Sequence, residues 1–259
     1  MLFLDLGLMA LVAGLLVGLI GGSASLVLIP VLLVFFSHMM GNSEVALHYA
    51  TTTSLAISLV SKVFSLWLQH KQGLLNWTLY KQIVPILSPG LLVGAAFSHW
   101  IPERYVTVML ASMMAQVGYS MLPERTQLLD NHKSLSKRMS AKIGVVSGLL
   151  GVSGNELTVS SLVNRGVDVN SACMMGSLVS SSVSFILVVV GMLRTPAVSI
   201  PNSQYQIGYL YLPAIVIMAP IAVLSSKLAA KWVIKLRKEQ LQFLFSVVMF
   251  LCAIRTYIF

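Results

Sequence analysis

The stretch "GVVSGLLGVSGNELTVS", residues 144–160, interrupts an apolar run from Ala141 to Val163 with glycines, serines, an asparagine and an acid. A second apolar segment, from Leu6 to Phe36, contains the similar stretch "GLLVGLIGGSASLVLIP" at residues 14–30. The two stretches share five positions, which are Gly14/Gly144, Gly18/Gly148, Leu19/Leu149, Gly21/Gly151 and Ser23/Ser153. They predict a weak internal repeat in which each half of the chain begins with a broken apolar segment.

The composition is that of an integral membrane protein. Of 259 residues, 57% are hydrophobic and 10% are charged, and the mean hydropathy is +0.86. A helix of ~20 apolar residues crosses the ~30 Å hydrocarbon layer. Uninterrupted runs of this kind predict six crossings, at residues 44–68, 79–98, 104–122, 171–193, 207–226 and 241–258. Residues 1–7 carry no Lys or Arg, so we expect the first apolar run to remain in the mature protein.

The charge pattern predicts how the chain is arranged in the membrane. The formal charge of +9 comes mainly from short basic loops, which the positive-inside rule explains without a nucleic-acid partner. One such loop, residues 123–142, is taken as a cytoplasmic linker between an N-terminal repeat, residues 1–122, and a C-terminal repeat, residues 143–259, of one membrane domain. A second basic loop at residues 227–238 is also expected in the cytoplasm. The chain between the two loops therefore starts and ends on the cytoplasmic side.

That arrangement requires an even number of crossings, so the segment broken at residues 151–156 should enter the membrane and turn back. The fold expected is an all-α polytopic membrane protein of two four-segment repeats, each with a re-entrant first segment and three transmembrane helices. Three crossings in each half make the repeats inverted. Eight full crossings with parallel repeats remain the alternative.

Non-helical backbone at membrane depth is tolerated where it is buried in protein or lines a watery cavity. A helix that starts there presents unpaired N–H groups, which suit an anion. The predicted substrate-binding residues are those of the two breaks, Gly21, Gly22, Ser23, Ser25, Gly151, Ser153, Gly154 and Asn155, with Thr51, Ser54 and Ser177 from the following spans. Close helix packing and helix capping by the same small residues remain the alternative interpretation.

Glu156 is the acid placed inside an apolar segment and is a candidate for proton coupling. Its alternative role is to compensate the helix dipole. We expect Lys62 to extend to the inner surface and His48 to be a packing residue. Cys173 and Cys252 both lie in apolar spans, which indicates buried thiols rather than a disulfide or a metal site.

The two glycine motifs, "GLIGGSASLVLIP" and "GLLGVSGNELTVS", resemble the paired motifs of the TauE/SafE sulfite exporter family, of the form G-L-L-G-x-G-G-G-x-L-x-x-P. The two-half plan, the "TTTSLA" run at residues 51–56 and the basic central loop extend the similarity over nearly the whole chain. The resemblance implies a transporter of sulfite, organosulfonates or related small anions in a bacterial inner membrane. Where the family has three glycines, this chain has Ser23, Ala24 and Ser25 in the first motif and Ser153, Gly154 and Asn155 in the second, and Ser160 stands where the second proline would be.

The leading hypothesis is therefore a secondary anion transporter, not an enzyme, without cofactor or metal, and with direction of transport left open. An anion channel would share the same wall chemistry. "GVSG" also matches the G-x-S-G nucleophile pattern of rhomboid proteases, but no histidine follows His132 to act as the base. A homodimer is left open.

Overall fold

The computed structural model describes residues 24–40, 43–71, 75–98, 100–120, 135–163, 165, 167, 169–196, 200, 205–233 and 238–258. The first half contains α1 (Ala24–Met40), α2 (Ser43–Lys71), α3 (Trp77–Ser98) and α4 (Glu103–Ser120). The second half contains α5 (Lys137–Leu150), α6 (Asn155–Val163), α7 (Val169–Leu193), α8 (Leu212–Val233) and α9 (Lys238–Ile258). A small hairpin, β1 (Gln206–Ile207) and β2 (Leu210–Tyr211), precedes α8.

The predicted crossings correspond to helices α2, α3, α4, α7, α8 and α9. Within the described residues, two helical stretches are long and apolar enough to span a bilayer, Trp77–Ser98 and Ser171–Leu193. The predicted start of the fifth crossing at residue 207 was wrong, because Gln206 to Tyr211 form the hairpin and the helix begins at Leu212. Gly208, with φ of 56°, makes the tight turn that separates the two strands.

Contacts between helices fix their relative directions. Thr52 of α2 lies against Gly191 of α7, and Lys62 of α2 bonds to Ser180 of α7, so α2 and α7 run in opposite directions. In contrast, α3 runs in the same direction as α7, because its start contacts the middle of α7 and its end contacts the residue after α7. These contacts are Tyr80 with Ser182 and Ser98 with Arg194.

The helices α3 and α5 pack through glycines on both sides. A Cβ atom built on Gly90 would lie 2.7 Å from the carbonyl oxygen of Ala141, and one on Gly148 would lie 2.8 Å from the amide nitrogen of Ala95. Such distances leave no room for a side chain, so the two backbones touch, as in the small-residue interfaces of membrane helices. The paired positions increase together along both helices, which makes α3 and α5 parallel. Since α3 and α7 are also parallel, α5 and α7 run in the same direction.

Helices that the predicted repeat would pair contact each other in opposite directions. The repeat alignment pairs Gly14 with Gly144 and so makes α2 the counterpart of α7, and α4 the counterpart of α9. The α2–α7 pair is antiparallel, as shown above. In the α4–α9 pair, Gly118 receives a bond from Ser246 at 2.8 Å and Met114 lies near Thr256, so this pair is antiparallel too.

The apolar core joins the two halves and buries the hairpin. One cluster packs α1 against α2, α4, α8 and α9, with Phe36 and Tyr49 among its largest fully buried side chains. A second cluster lies between α2, α3 and α7. Tyr209 and Tyr211 of the hairpin pack their rings on α1 and α2, and the Tyr209 amide donates to the carbonyl of Gly191 at 3.0 Å. The hairpin is thereby held over the C-terminal end of α7.

Candidate functional site

The predicted break in the second half is confirmed at residues 151–154. Helix α5 ends at Leu150, and Gly151 closes it in the left-handed region with φ of 65°, where its amide donates to the carbonyl of Ser147. Gly154 has φ of 67°, and α6 begins at Asn155. Glycine adopts these angles without steric cost, which explains why two glycines bracket the break.

Serines from the two halves of the chain meet near the start of α6. Helix α6 begins at Asn155, whose counterpart in the predicted repeat alignment is Ser25 of α1. The hydroxyls of Ser25 and Ser153 are 2.8 Å apart and fully buried, so the two halves meet through a direct hydrogen bond. The predicted site residues Gly21, Gly22 and Ser23 lie outside the described residues.

Polar side chains surround the start of α6 in a buried setting. Asn155 is 5% exposed and Glu156 is 3% exposed. The Asn155 side chain lies so close to Gly176 of α7 that a Cβ atom there would be 2.6 Å from its Oδ1. Ser147 is fully buried beside Gly154, and its hydroxyl has no hydrogen-bond partner among the described residues. The Ser147 hydroxyl therefore provides unused hydrogen-bonding capacity in the buried surroundings of the break.

The predicted site residues Thr51 and Ser54 form a buried polar stripe on α2 together with Ser58, but the hydroxyls of this stripe are partly engaged by their own helix. Ser54 donates to the carbonyl of Thr51 at 2.8 Å, and Ser58 donates to that of Leu55 at 3.1 Å. Such bonds use the only hydroxyl proton of each serine, so these side chains offer an oxygen acceptor rather than a donor. The predicted residue Ser177 of α7 is half-buried, and its carbonyl accepts from Ser180.

The expectation that Lys62 reaches the inner surface was wrong. Lys62 is 7% exposed, and its ammonium donates to Ser180 Oγ on α7 at 2.9 Å. It also interacts electrostatically with Glu156. The lysine lies on the face of α2 that carries Thr51, Ser54 and Ser58, and at Lys62 this face packs against α7. The ammonium is therefore buried against α7 instead of extending along the lipid to the inner surface.

A cavity of about 50 Å³ opens beside Gly151, at the shared end of α3, α5 and α7. Since one water needs ~10–15 Å³ by this measure, the cavity has room for a few waters or one small anion. Its lining residues that can hydrogen-bond are His48, Thr51, Thr52, Ser98, Arg194 and Tyr209. Two of the predicted site residues, Thr51 and Gly151, therefore line it, while Ser25, Ser153, Gly154 and Asn155 lie outside its lining.

Arg194 brings a positive charge to this cavity and was not singled out from the sequence. Its guanidinium donates to the carbonyl of Ala95 and to Ser98 Oγ at 3.5 Å, both in the last turn of α3. A cation there complements the negative end of the α3 dipole, and a guanidinium has five N–H donors, so further donors remain for a ligand. His48 lines the same cavity and packs its ring on Tyr209 with centroids 5.3 Å apart, in agreement with its expected packing role.

Comparison with known proteins identifies the family. The sequence profile of the sulfite exporter TauE/SafE family matches residues 6–256. The chain belongs to this family. It is also 24% identical over 259 residues to a probable membrane transporter protein of Haemophilus influenzae, covering 97% of this chain and 96% of that protein.

Membership of the TauE/SafE family makes this chain an integral membrane protein and a membrane transporter. The resemblance derived from the glycine motifs is thus confirmed over nearly the full length. Three places in this TauE/SafE chain have polar or charged groups that could bind a small solute. They are the break at residues 151–154, the α2–α7 interface around Lys62 and Ser180, which is called the seam below, and the cavity with Arg194.

Proposed function

We propose that this chain is a secondary transporter of small anions, such as sulfite, organosulfonates or related sulfur and carboxylate anions, across the cytoplasmic membrane. The observation that carries the proposal is the break at residues 151–154, where a helix starts among buried polar side chains beside a cavity that contains Arg194. The N–H groups of a helix start and a nearby cation favour an anion. The matched family's name, sulfite exporter, points to the same class of solute.

We infer that the second broken segment is re-entrant. Helices α5 and α7 run in the same direction, so the chain that ends α5 has to return through α6 before α7 begins. The antiparallel contacts of α2 with α7 and of α4 with α9 support inverted repeats rather than parallel ones.

The charges of the described helix ends support the same topology. Basic residues gather at one end of the bundle, where α2 ends and α3, α5 and α7 begin: Lys71, Lys81, Lys137, Arg138, Lys142 and Arg165. The opposite end carries Arg104, Arg194 and Arg255. The positive-inside rule places the first end in the cytoplasm, so the cavity with Arg194 faces the outer side.

The electrical driving force separates the two directions of transport. A membrane potential that is negative inside contributes ~2.3 kcal/mol per charge per 100 mV, which favours anion export and opposes uptake. Export therefore proceeds without a coupled ion, whereas uptake requires a cotransported cation. Glu156, buried at the start of α6, is the candidate carrier of a coupled proton.

The protease alternative requires a general base next to Ser153. The described partner of this hydroxyl is Ser25, at 2.8 Å, and a second hydroxyl does not take up its proton. An anion channel would have the same residues along its pathway as a carrier and would differ in its rate of transport. The transport assay therefore has to separate a channel from a carrier.

The test is transport by the purified protein in proteoliposomes, with sulfite, sulfate, a sulfonate and a small carboxylate as substrates. Saturable flux of at least one of these anions, with counterflow of labelled anion against unlabelled anion, is expected. Counterflow requires a site that alternates between the two sides, so its absence together with single-channel current would replace the carrier by a channel. No flux of any anion in the panel would overturn the proposal.

A further inference from the structure

Lys62 occupies an unusual position for a lysine in a membrane helix. It is the twentieth residue of the 29-residue helix α2, and its ammonium is enclosed between α2 and α7 with Ser180 as its hydrogen-bond partner. Ser184 lies one turn further along the same face of α7. It is fully buried, and its hydroxyl has no hydrogen-bond partner among the described residues. The ammonium thus sits next to a polar surface with hydrogen-bonding capacity to spare.

An anion inside this seam needs hydrogen-bond donors and a compensating charge. The hydroxyl protons of Ser54 and Ser58 are committed to backbone carbonyls. An ammonium has three N–H protons, of which the described bond to Ser180 uses one. On the face of α2 that packs against α7, Lys62 is therefore the group that provides both hydrogen-bond donors and a positive charge for an anion.

The cost of burying a lone charge explains why a carboxylate accompanies this lysine. An isolated ammonium in a low-dielectric interior is strongly destabilising, and a nearby negative charge offsets that cost. Glu156, 3% exposed on α6, is the neighbour of Asn155, which lies against Gly176 of α7, one turn before the Ser180 that bonds Lys62. Its carboxylate is therefore placed to offset the charge of Lys62. A transported anion at the same place would satisfy the lysine equally well, but the anion and the carboxylate together would leave one negative charge in excess.

We propose that Lys62 binds the negative charge of the transported anion, and that Glu156 is its counter-ion when no anion is bound. This inference rests on the proposed function. When a monovalent anion takes the place of the carboxylate, Glu156 takes up one proton from the water on the side from which the anion enters. The seam then holds an ammonium, an anion and a neutral carboxylic acid, so its net charge does not change. When the anion leaves, the proton leaves with it.

Other ionisable groups on the packed elements do not take this role. On α3, the Tyr80 hydroxyl bonds to Ser182 on α7 at 2.7 Å. Cys173 of α7 is half-buried near the α6 end of that helix, among the residues packed on Leu162. His48 lies on α2 fourteen residues before Lys62, in the cavity at the other end of that helix, where its ring packs on Tyr209. His38 is exposed at the far end of α1. Glu156 is left as the acid whose proton exchange accompanies the anion.

The experiment measures binding and transport of methanesulfonate, because the charge of a sulfonate does not change over the pH range used, whereas sulfite titrates near neutrality. In the wild-type protein, affinity should rise as the pH falls, by up to about tenfold per pH unit when one proton accompanies each anion. A stoichiometry of one proton per anion should appear as electroneutral, pH-driven flux in proteoliposomes.

The variants separate the two residues. Lys62→Met should reduce anion affinity by about a hundredfold or more, while Lys62→Arg should retain binding with altered selectivity. Glu156→Gln should bind the anion with little dependence on pH. The matched control is Lys81→Met, which removes an exposed lysine at the inner end of α3 and should leave affinity and pH dependence unchanged.

Folding is controlled by the double variant Lys62→Met/Glu156→Gln, which removes both charges and should regain any stability that Lys62→Met loses. If this folded double variant binds methanesulfonate as tightly as the wild-type protein, the proposal is overturned. Glu156→Gln with an intact pH dependence of binding overturns it as well. Absence of flux in the wild-type protein for every anion of the panel refutes the transport function itself, so the two failures are distinguishable.

Discussion

Replacing Gly148 by alanine tests the contact between α3 and α5, on which the direction of the second broken segment depends. The added Cβ atom would lie 2.8 Å from the Ala95 amide nitrogen and closer still to the carbonyl oxygen of Leu91. Both neighbours are backbone atoms of a helix, which cannot rotate away as a side chain would. Because carbon contacts are optimal near ~3.5–4 Å, the two helices would have to separate by about 0.7 Å or more.

The sign of the effect is informative, because two contributions oppose each other. Alanine is favoured over glycine in a helix by ~1 kcal/mol, so Gly148→Ala should be stabilising if α5 were free at this position. Overpacking a tight contact costs ~1–3 kcal/mol, and occasionally more. Separation of the helices also weakens the contacts at Gly90, Gly94 and Gly144, which share the interface. We therefore expect a net destabilisation of about 1–2 kcal/mol.

The assay is thermal unfolding of the purified protein in detergent. For a chain of this size, 1 kcal/mol corresponds to ~2–4 °C, so Gly148→Ala should lower Tm by about 2–8 °C. Val146→Ile is the control, since it adds one methyl group to the exposed side of the same helix and should change Tm by less than about 2 °C. An unchanged or raised Tm for Gly148→Ala would show that the two backbones do not touch, and the parallel packing of α3 and α5 would lose its support.

The remaining predictions concern the site and the topology. Asn155→Ala should weaken anion binding about ten- to hundredfold, as expected for loss of hydrogen bonds to a charged ligand, while Tm stays nearly unchanged. If a binding titration shows unaltered affinity, the break is only a capping and packing feature. Arg194→Gln should lower the affinity for anions supplied from outside by about tenfold, and Arg194→Lys should have an intermediate effect. An equal loss of affinity for anions supplied from either side of oriented proteoliposomes would contradict an outer cavity. A cysteine introduced at His38 should react with an impermeant reagent from outside, and one at Lys235 only after permeabilisation; outside labelling at Lys235 would end the inverted-repeat interpretation.

The break was predictable from the sequence because its causes are local. Gly151 and Gly154 adopt left-handed angles that few other residues adopt, and the polar residues between and after them cannot be accommodated in lipid. The hairpin before α8 was not predictable in the same way. Its residues Leu210 and Tyr211 are as apolar as the helix that follows, so hydropathy extended the crossing into them, and the glycine at position 208 was the available signal for a turn.

The burial of Lys62 could not be predicted from the local sequence pattern. A lysine near the end of an apolar run ordinarily extends to the surface, and nothing in the local sequence distinguishes that outcome from burial against a distant helix. The deciding hydrogen bond comes from Ser180, 118 residues further along the chain, and only the packing of α2 against α7 brings the two residues together. One clue was nevertheless present, since Lys62 follows Ser58 and Ser54 at intervals of four residues. In a membrane helix, a polar face that includes a cation should be tested first for a partner of opposite charge elsewhere in the chain, because the cost of burying an uncompensated ammonium requires one.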